Sequence, residues 1–115
     1  MKVLITGSTG FVGTNLCKTL NINSSIEVVR VIRDSSCKEI DSDIVIPKIN
    51  KKTKWKKLLK EVDTIIHLAS HVHKPEKNGK YEESKSFDVN FQGTKHLIDQ
   101  AIKSNVKRFI FLSSI

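Results

Sequence analysis

Gly7, Gly10 and Gly13 are the residues of this chain whose spacing best supports chemistry. They stand between an apolar run, Val3-Leu4-Ile5, and a helical pattern that passes from Phe11 through Leu16 to Leu20. A strand that feeds a glycine-rich turn and then a helix brings free backbone N–H groups and the positive end of a helix dipole onto an anion. In such a turn Gly7 suits the tight exit from the strand, Gly10 the close approach of main chain to phosphate, and Gly13 the packing of helix on sheet. The predicted ligand is a dinucleotide held by its pyrophosphate. Nucleotide hydrolysis is disfavoured, because Gly13 is followed by Thr14-Asn15 and not by the Lys-Ser/Thr pair of a P-loop.

Further along, other residue types invite a role. About twenty residues past the last glycine, a dinucleotide fold reads the adenosine ribose, with an acid for a 2′-OH or a cation for a 2′-phosphate. Here Ile32 ends a β-rich run and Arg33 then Asp34 follow. A guanidinium can fork onto a phosphate, so Arg33 favours NADP over NAD. The alternative makes Arg33 an ordinary strand end and gives the ribose to Asp34. His67 closes a buried apolar run, and a lone histidine there is expected to be a hydrogen-bonded structural group and not a catalyst. His71 and His73 form an HxH pair with no evident third ligand, so no metal site is predicted.

The elements that must position these residues follow from the hydrophobic periods. Strands are predicted at residues 3–5, 26–32 (IEVVRVI), 43–47 (DIVIP, stopped by Pro47), 62–70 and 106–112. Ala69 and Ser70 are small enough for a cofactor to pass over that strand exit. Helices are predicted from Phe11, from Thr53 to Lys60 with Trp55, Leu58 and Leu59 on an apolar face, and across 81–105. Trp55 reads as a packing residue, and Asn105 as a left-handed cap. Gly93 and Asn90 interrupt the long helix. The glycine points to close packing, and Asn90 to a contact near the site. The expected fold is α/β: a three-layer, doubly wound Rossmann fold whose parallel sheet has the order 3-2-1-4-5, with the ligand crevice at the carboxyl ends of strands 1 and 4.

At 115 residues the chain suits a single domain, with residues 1–115 forming one dinucleotide-binding unit. No membrane span and no signal peptide are apparent, so a cytoplasmic protein is expected. Cys17 and Cys37 fit neither a disulfide nor a metal pattern. The net charge of +8 is concentrated in seven lysines between Lys48 and Lys60. Without arginines or exposed stacking aromatics, that cluster reads as a solvated surface and not as a nucleic-acid site.

These motifs together resemble the amino-terminal part of the extended short-chain dehydrogenases/reductases, the NAD-dependent epimerase/dehydratase family that acts on nucleotide-diphosphate sugars. TGSTGFVG at 6–13 is similar to the family's TGxxGFxG, HLAS at 67–70 to its HLAA, and DVNFQGTKHLIDQA at 88–101 to its helix with Asn and Gly-Thr. VKRFIFLSSI at 106–115 resembles its strand ending in the active-site serine. The HLASHVH and RFIFLSSI versions look closest to 4-ketoreductases and 4-epimerases of surface-polysaccharide synthesis. The resemblance implies that Gly7, Gly10, Phe11 and Val12 line the pyrophosphate, Arg33 meets the ribose, and Leu68, Ala69 and Ser70 pass beneath the cofactor. It places Asn90 beside the site and makes Ser114 the serine that hydrogen-bonds the sugar. Lys48-Ile49 stands where the family often has Asp and an apolar residue, leaving Ile49 as a weakened adenine contact.

The family's chemistry uses a tyrosine and a lysine at YxxxK spacing in a helix beyond the serine strand, whereas the one tyrosine here, Tyr81, precedes that strand. The expectation is a cofactor-binding portion that binds weakly and does not turn over alone. The alternative is a non-catalytic dinucleotide-binding regulatory or interaction module. The apolar fifth strand, as an unpaired edge, and the long helix at 83–104 are expected to support self-association.

Overall fold

The computed structural model describes residues 1–70 and 87–112. Strand β1 is Lys2–Thr6, and helix α1, Phe11–Asn21, follows the glycine turn. Strand β2 is Glu27–Ile32, a 3₁₀ turn covers Ser35–Cys37, and β3 is the two-residue strand Ile44–Val45. Strand β4 is Thr64–His67. A π-helical segment, Phe87–Gly93, runs into helix α2, Thr94–Lys103, and β5 is Arg108–Phe111. The five strands form one sheet in the order β3-β2-β1-β4-β5, every neighbouring pair parallel, which is the predicted doubly wound Rossmann arrangement.

The continuous apolar character of the strands comes from burial on both faces. On one face Val3, Ile5 and Val28 meet Cys17 of α1. On the other, Leu4, Val29, Val31 and Ile65 meet Leu97 and Ala101 of α2, together with Trp55 and Leu59. Successive β1 residues therefore feed opposite layers, as the two-residue period of a strand requires. Burying each such aliphatic side chain contributes about 1.5–3 kcal/mol, so these layers, and not the short β3, hold the sheet together.

Two predicted elements differ in the structure. Residues 53–60 form turns and no helix. The Thr53 hydroxyl accepts from the Asn50 N–H and donates to the Lys48 carbonyl, while Leu58 and Leu59 N–H both bond the Trp55 carbonyl. Trp55 and Leu59 are buried as expected, but the segment is too short to propagate a helix of its own. The long helix is not uniformly α either, since its described part begins with a π-helical turn that carries Asn90 and ends at Gly93. Its other end matches expectation. Asn105 is left-handed at φ 59°, the Asn105 N–H bonds the Ile102 carbonyl, and the Val106 N–H bonds the Ala101 carbonyl. The portion of the predicted helix before Phe87 lies outside the described residues.

Candidate nucleotide-binding crevice

Each glycine of the turn has a different physical reason. Gly7 is left-handed at φ 69°, and a Cβ there would lie 2.6 Å from both the Ala69 nitrogen and the Leu68 carbonyl carbon. A Cβ on Gly13 would stand 2.1 Å from the Gly7 oxygen and 2.8 Å from the Ser8 Cα, so this glycine lets α1 press on the turn. Gly10 is unlike the other two. Its φ is −73°, and an added Cβ would meet only the Gly7 oxygen, at 3.4 Å, with open space otherwise.

Gly10 also begins α1 and offers no capping side chain, and the first turn of the helix holds no acid. The leading N–H groups of a helix have no partner within it, so this end presents donors and a positive dipole. Phe11 is 88% exposed and Val12 is exposed beside it. The turn itself is anchored from below, where the Ser8 hydroxyl donates to the Val31 carbonyl over 2.9 Å. A rigid, uncapped helix terminus with room at Gly10 is a cradle that a pyrophosphate fits.

Beside it, β4 ends in His67, which is only 1% exposed. Its Nδ1 lies 2.7 Å from the Thr6 hydroxyl oxygen, and its Nε2 lies 2.8 Å from that of Thr94. Burial lowers the His67 pKa to about 4, so the ring is neutral at pH 7. The expectation of a hydrogen-bonded structural histidine agrees with this geometry. Leu68 and Ala69 then pass the Gly7 turn half-buried, and Ser70 is exposed. A cleft of about 420 Å³ opens here, with Ala69, Ser70, Asn90, Thr94, Phe111 and Leu112 among its lining residues. Asn90 is thus brought to the crevice across from the β4 exit.

At the other flank, Arg33 is exposed just past β2, and among the described residues it has no ion-pair partner. The adjacent Asp34 carboxylate accepts from the Ser36 N–H at 2.9 Å, which holds its pKa below the usual carboxylate value. Ile49 sits in the core with Trp55 and Leu59 and is 7% exposed, which leaves little of its surface for adenine. Ser114, Tyr81, His71 and His73 lie outside the described residues.

Sequence reasoning missed two sets of buried polar partners. Arg30 points from β2 into a buried pair with Asp43, Nε donating to Oδ1 at 2.9 Å. The Glu39 and Ile40 N–H groups also donate to the Asp43 carboxylate, and this set, led by Arg30, holds its pKa well below the carboxylate range. An arginine in the middle of the β-rich IEVVRVI run was the available signal. Thr6 was hidden within the glycine motif, and only the fold brings it to His67.

An open parallel sheet with an uncapped helix at its β1 exit and a crevice beside β4 defines the class of dinucleotide-binding α/β proteins. Residues 3–115 match the model of the "NAD dependent epimerase/dehydratase family", and the chain belongs to that family. Among similar curated proteins is a UDP-glucose 4-epimerase from Vibrio cholerae, 39% identical over 99% of this chain and 35% of its own length. A UDP-2-acetamido-2,6-beta-L-arabino-hexul-4-ose reductase from Pseudomonas aeruginosa is 33% identical over 100% of this chain and 26% of its own length. Among solved structures, UDP-glucuronic acid 4-epimerase from Bacillus cereus in complex with NAD superposes with a TM-score of 0.76 at 25% identity, over 99% of this chain and 40% of that one. The chain thus spans about a third of the length of these relatives. Among the described residues no helix is long and apolar enough to cross a membrane.

Proposed function

We propose that residues 1–115 are the coenzyme-binding portion of a nucleotide-diphosphate-sugar epimerase, 4-ketoreductase or dehydratase, working at a sugar carbon in surface-polysaccharide synthesis. The observation that carries the reading is the contrast among the glycines: two are packed against main chain, while Gly10 faces open space at an uncapped helix end. The names of the Vibrio and Pseudomonas relatives, a 4-epimerase and a 4-ulose reductase, support the substrate class. When bound, a nicotinamide coenzyme supplies the hydride chemistry. The chain's own residues hold the diphosphate at the first turn of α1 and keep the β4 exit flat beneath the ring. Asn90 contributes a polar group to the crevice wall, and Ser114 hydrogen-bonds the sugar.

Residues 1–115 alone bind coenzyme weakly and do not turn over in this reading. Tyr81 and Lys85 do have YxxxK spacing, but they precede the serine strand, whereas the family's pair follows it. Arg33, exposed and with no ion-pair partner among the described residues, favours NADP over NAD, and Asp34 is the alternative partner for a ribose 2′-OH. Exposed Phe111 and Leu112 at the β5 edge, and Phe87, Phe91 and Ile102 along the helix, supply apolar surface for self-association.

Titration of the chain with NADPH and NADH, wild type against Arg33→Ala, tests the coenzyme assignment. The substitution is expected to weaken NADPH by roughly 1–3 kcal/mol, the scale of a charged hydrogen bond, and to leave NADH nearly unchanged. Absence of binding by either coenzyme at millimolar concentration would remove the functional reading.

A further inference from the structure

The Thr6 hydroxyl sits at a junction that determines which way protons point. Its oxygen lies 3.1 Å from the Leu68 nitrogen and 3.2 Å from the Ala69 nitrogen, and both N–H groups donate to it. A hydroxyl has two lone pairs and one proton. With both lone pairs taken, the proton has one remaining acceptor among the described residues, His67 Nδ1 at 2.7 Å. Nδ1 is therefore the acceptor, Nε2 carries the ring proton, and Nε2–H donates to Thr94 Oγ1 at 2.8 Å.

We propose that His67 is the positioning residue of the coenzyme crevice: as the Nε2–H tautomer it orients the Thr6 hydroxyl, which in turn holds the Leu68–Ala69 main chain against the glycine turn. The inference rests on the reading that this turn and the β4 exit hold the coenzyme. Its force comes from how little slack the junction has, since a Cβ on Gly7 would already lie 2.6 Å from the Ala69 nitrogen. If His67 were protonated on Nδ1, two N–H or O–H donors would face each other and the Thr6 hydroxyl would have to turn away from the ring. The Ala69 N–H would then lose its acceptor, while the Leu68 N–H would keep the Thr6 carbonyl at 3.2 Å, and the main chain beneath the coenzyme would loosen at Ala69. The rings of Phe109 and Phe111, with centroids 6.1 and 6.0 Å from the imidazole, wall the site with apolar surface. The same chain of bonds ends on Thr94, the first residue of α2, so one imidazole joins the β1 exit, the β4 exit and the start of α2, directly after the π-helical segment that carries Asn90.

Two measurements decide it. A two-bond ¹H–¹⁵N correlation spectrum of the chain at pH 7 is expected to show His67 neutral, protonated on Nε2 and bare on Nδ1. The Nδ1–H tautomer or an imidazolium there overturns the proposal, whether or not any coenzyme binds. NADH titration of Thr6→Val, Thr6→Ser and His67→Phe forms the second arm. Thr6→Val and His67→Phe are expected to bind about tenfold more weakly, with Thr6→Ser restoring wild-type affinity because it keeps the hydroxyl. Folded Thr6→Val and His67→Phe variants that bind NADH as tightly as wild type overturn the positioning role. Loss of NADH binding by the wild type itself would instead count against the coenzyme reading and leave the spectrum to judge the tautomer.

Discussion

Alanine at Gly10 and alanine at Gly13 are expected to fail in opposite ways, and the difference follows from where each new methyl would lie. At Gly10 the backbone is at φ −73°, which alanine adopts freely, and the one near atom is the Gly7 oxygen at ordinary contact distance, 3.4 Å. Folding stability should therefore change by no more than about 1 kcal/mol, the range for replacing glycine at a helix N-cap. The methyl would project into the space at the head of α1, where a diphosphate must come close to the main chain. Loss of that approach should weaken NADH by at least about 1.4 kcal/mol, or tenfold. At Gly13 the methyl would lie 2.1 Å from a backbone oxygen and 2.8 Å from the Ser8 Cα. Neither atom belongs to a flexible side chain, so α1 must back away from the turn, an overpacking cost of about 1–3 kcal/mol or more. Thermal unfolding followed by circular dichroism reads the stability arm, at roughly 4–8 °C per kcal/mol for a domain of this size. Fluorescence titration with NADH reads the binding arm. A Gly10→Ala chain that binds NADH as tightly as wild type refutes the assignment of the cradle, and a Gly13→Ala chain of unchanged stability refutes the packing argument.

His67 makes stability depend on pH. Its folded pKa of about 4 lies below the 6.5 of a free histidine, so the unfolded chain takes up a proton first as pH falls. Stability from this group is complete above 6.5 and declines as pH drops toward 4, by about 2 kcal/mol between pH 7.5 and 5. Urea unfolding at the two pH values should show that decline in wild type and a flatter profile in His67→Gln; parallel profiles would contradict it. Asp43→Leu leaves the buried Arg30 guanidinium without its hydrogen-bonded carboxylate, with only the exposed Glu39 carboxylate at 3.4 Å beside it, and should cost roughly 3 kcal/mol in urea unfolding, while adding Arg30→Met recovers most of it. If the double variant were no more stable than the single, the pair would not be the source of the loss. The Asp43 pKa is lowered in the fold, so its contribution is present above about pH 4 and is lost as acid titrates the carboxylate. For self-association, sedimentation velocity at micromolar concentration should show dimers or larger species, and Phe111→Lys should reduce them if the β5 edge is the contact. A purely monomeric wild type would refute that reading.

Much of this architecture was legible in the sequence because its signals are local. Val3-Leu4-Ile5 before three spaced glycines announces a strand, a turn and a helix, and each succeeding run repeats the alternation that parallel crossovers require. The order 3-2-1-4-5 follows from that alternation with right-handed crossovers, and Trp55 and Asn105 were placed correctly by side-chain size and by tolerance of positive φ. Residues 53–60 misled because Trp55, Leu58 and Leu59 have helical spacing, while the tertiary core needs only two of them buried and accepts turns to place them. Ile49 was drawn into the same core for its hydrophobicity.

What no local pattern could decide is which polar groups meet across the sheet. Thr6 and His67 are 61 positions apart, His67 and Thr94 are 27 apart, and Arg30 finds Asp43 across a loop. A buried polar group must find a partner, but sequence does not say which one. The composition and spacing of this chain determined its layers and its glycine turn. Tertiary structure alone chose the partners, because strand register sets the Thr6 hydroxyl beside the His67 imidazole and the packing of α2 on the sheet brings the Thr94 hydroxyl to its other nitrogen.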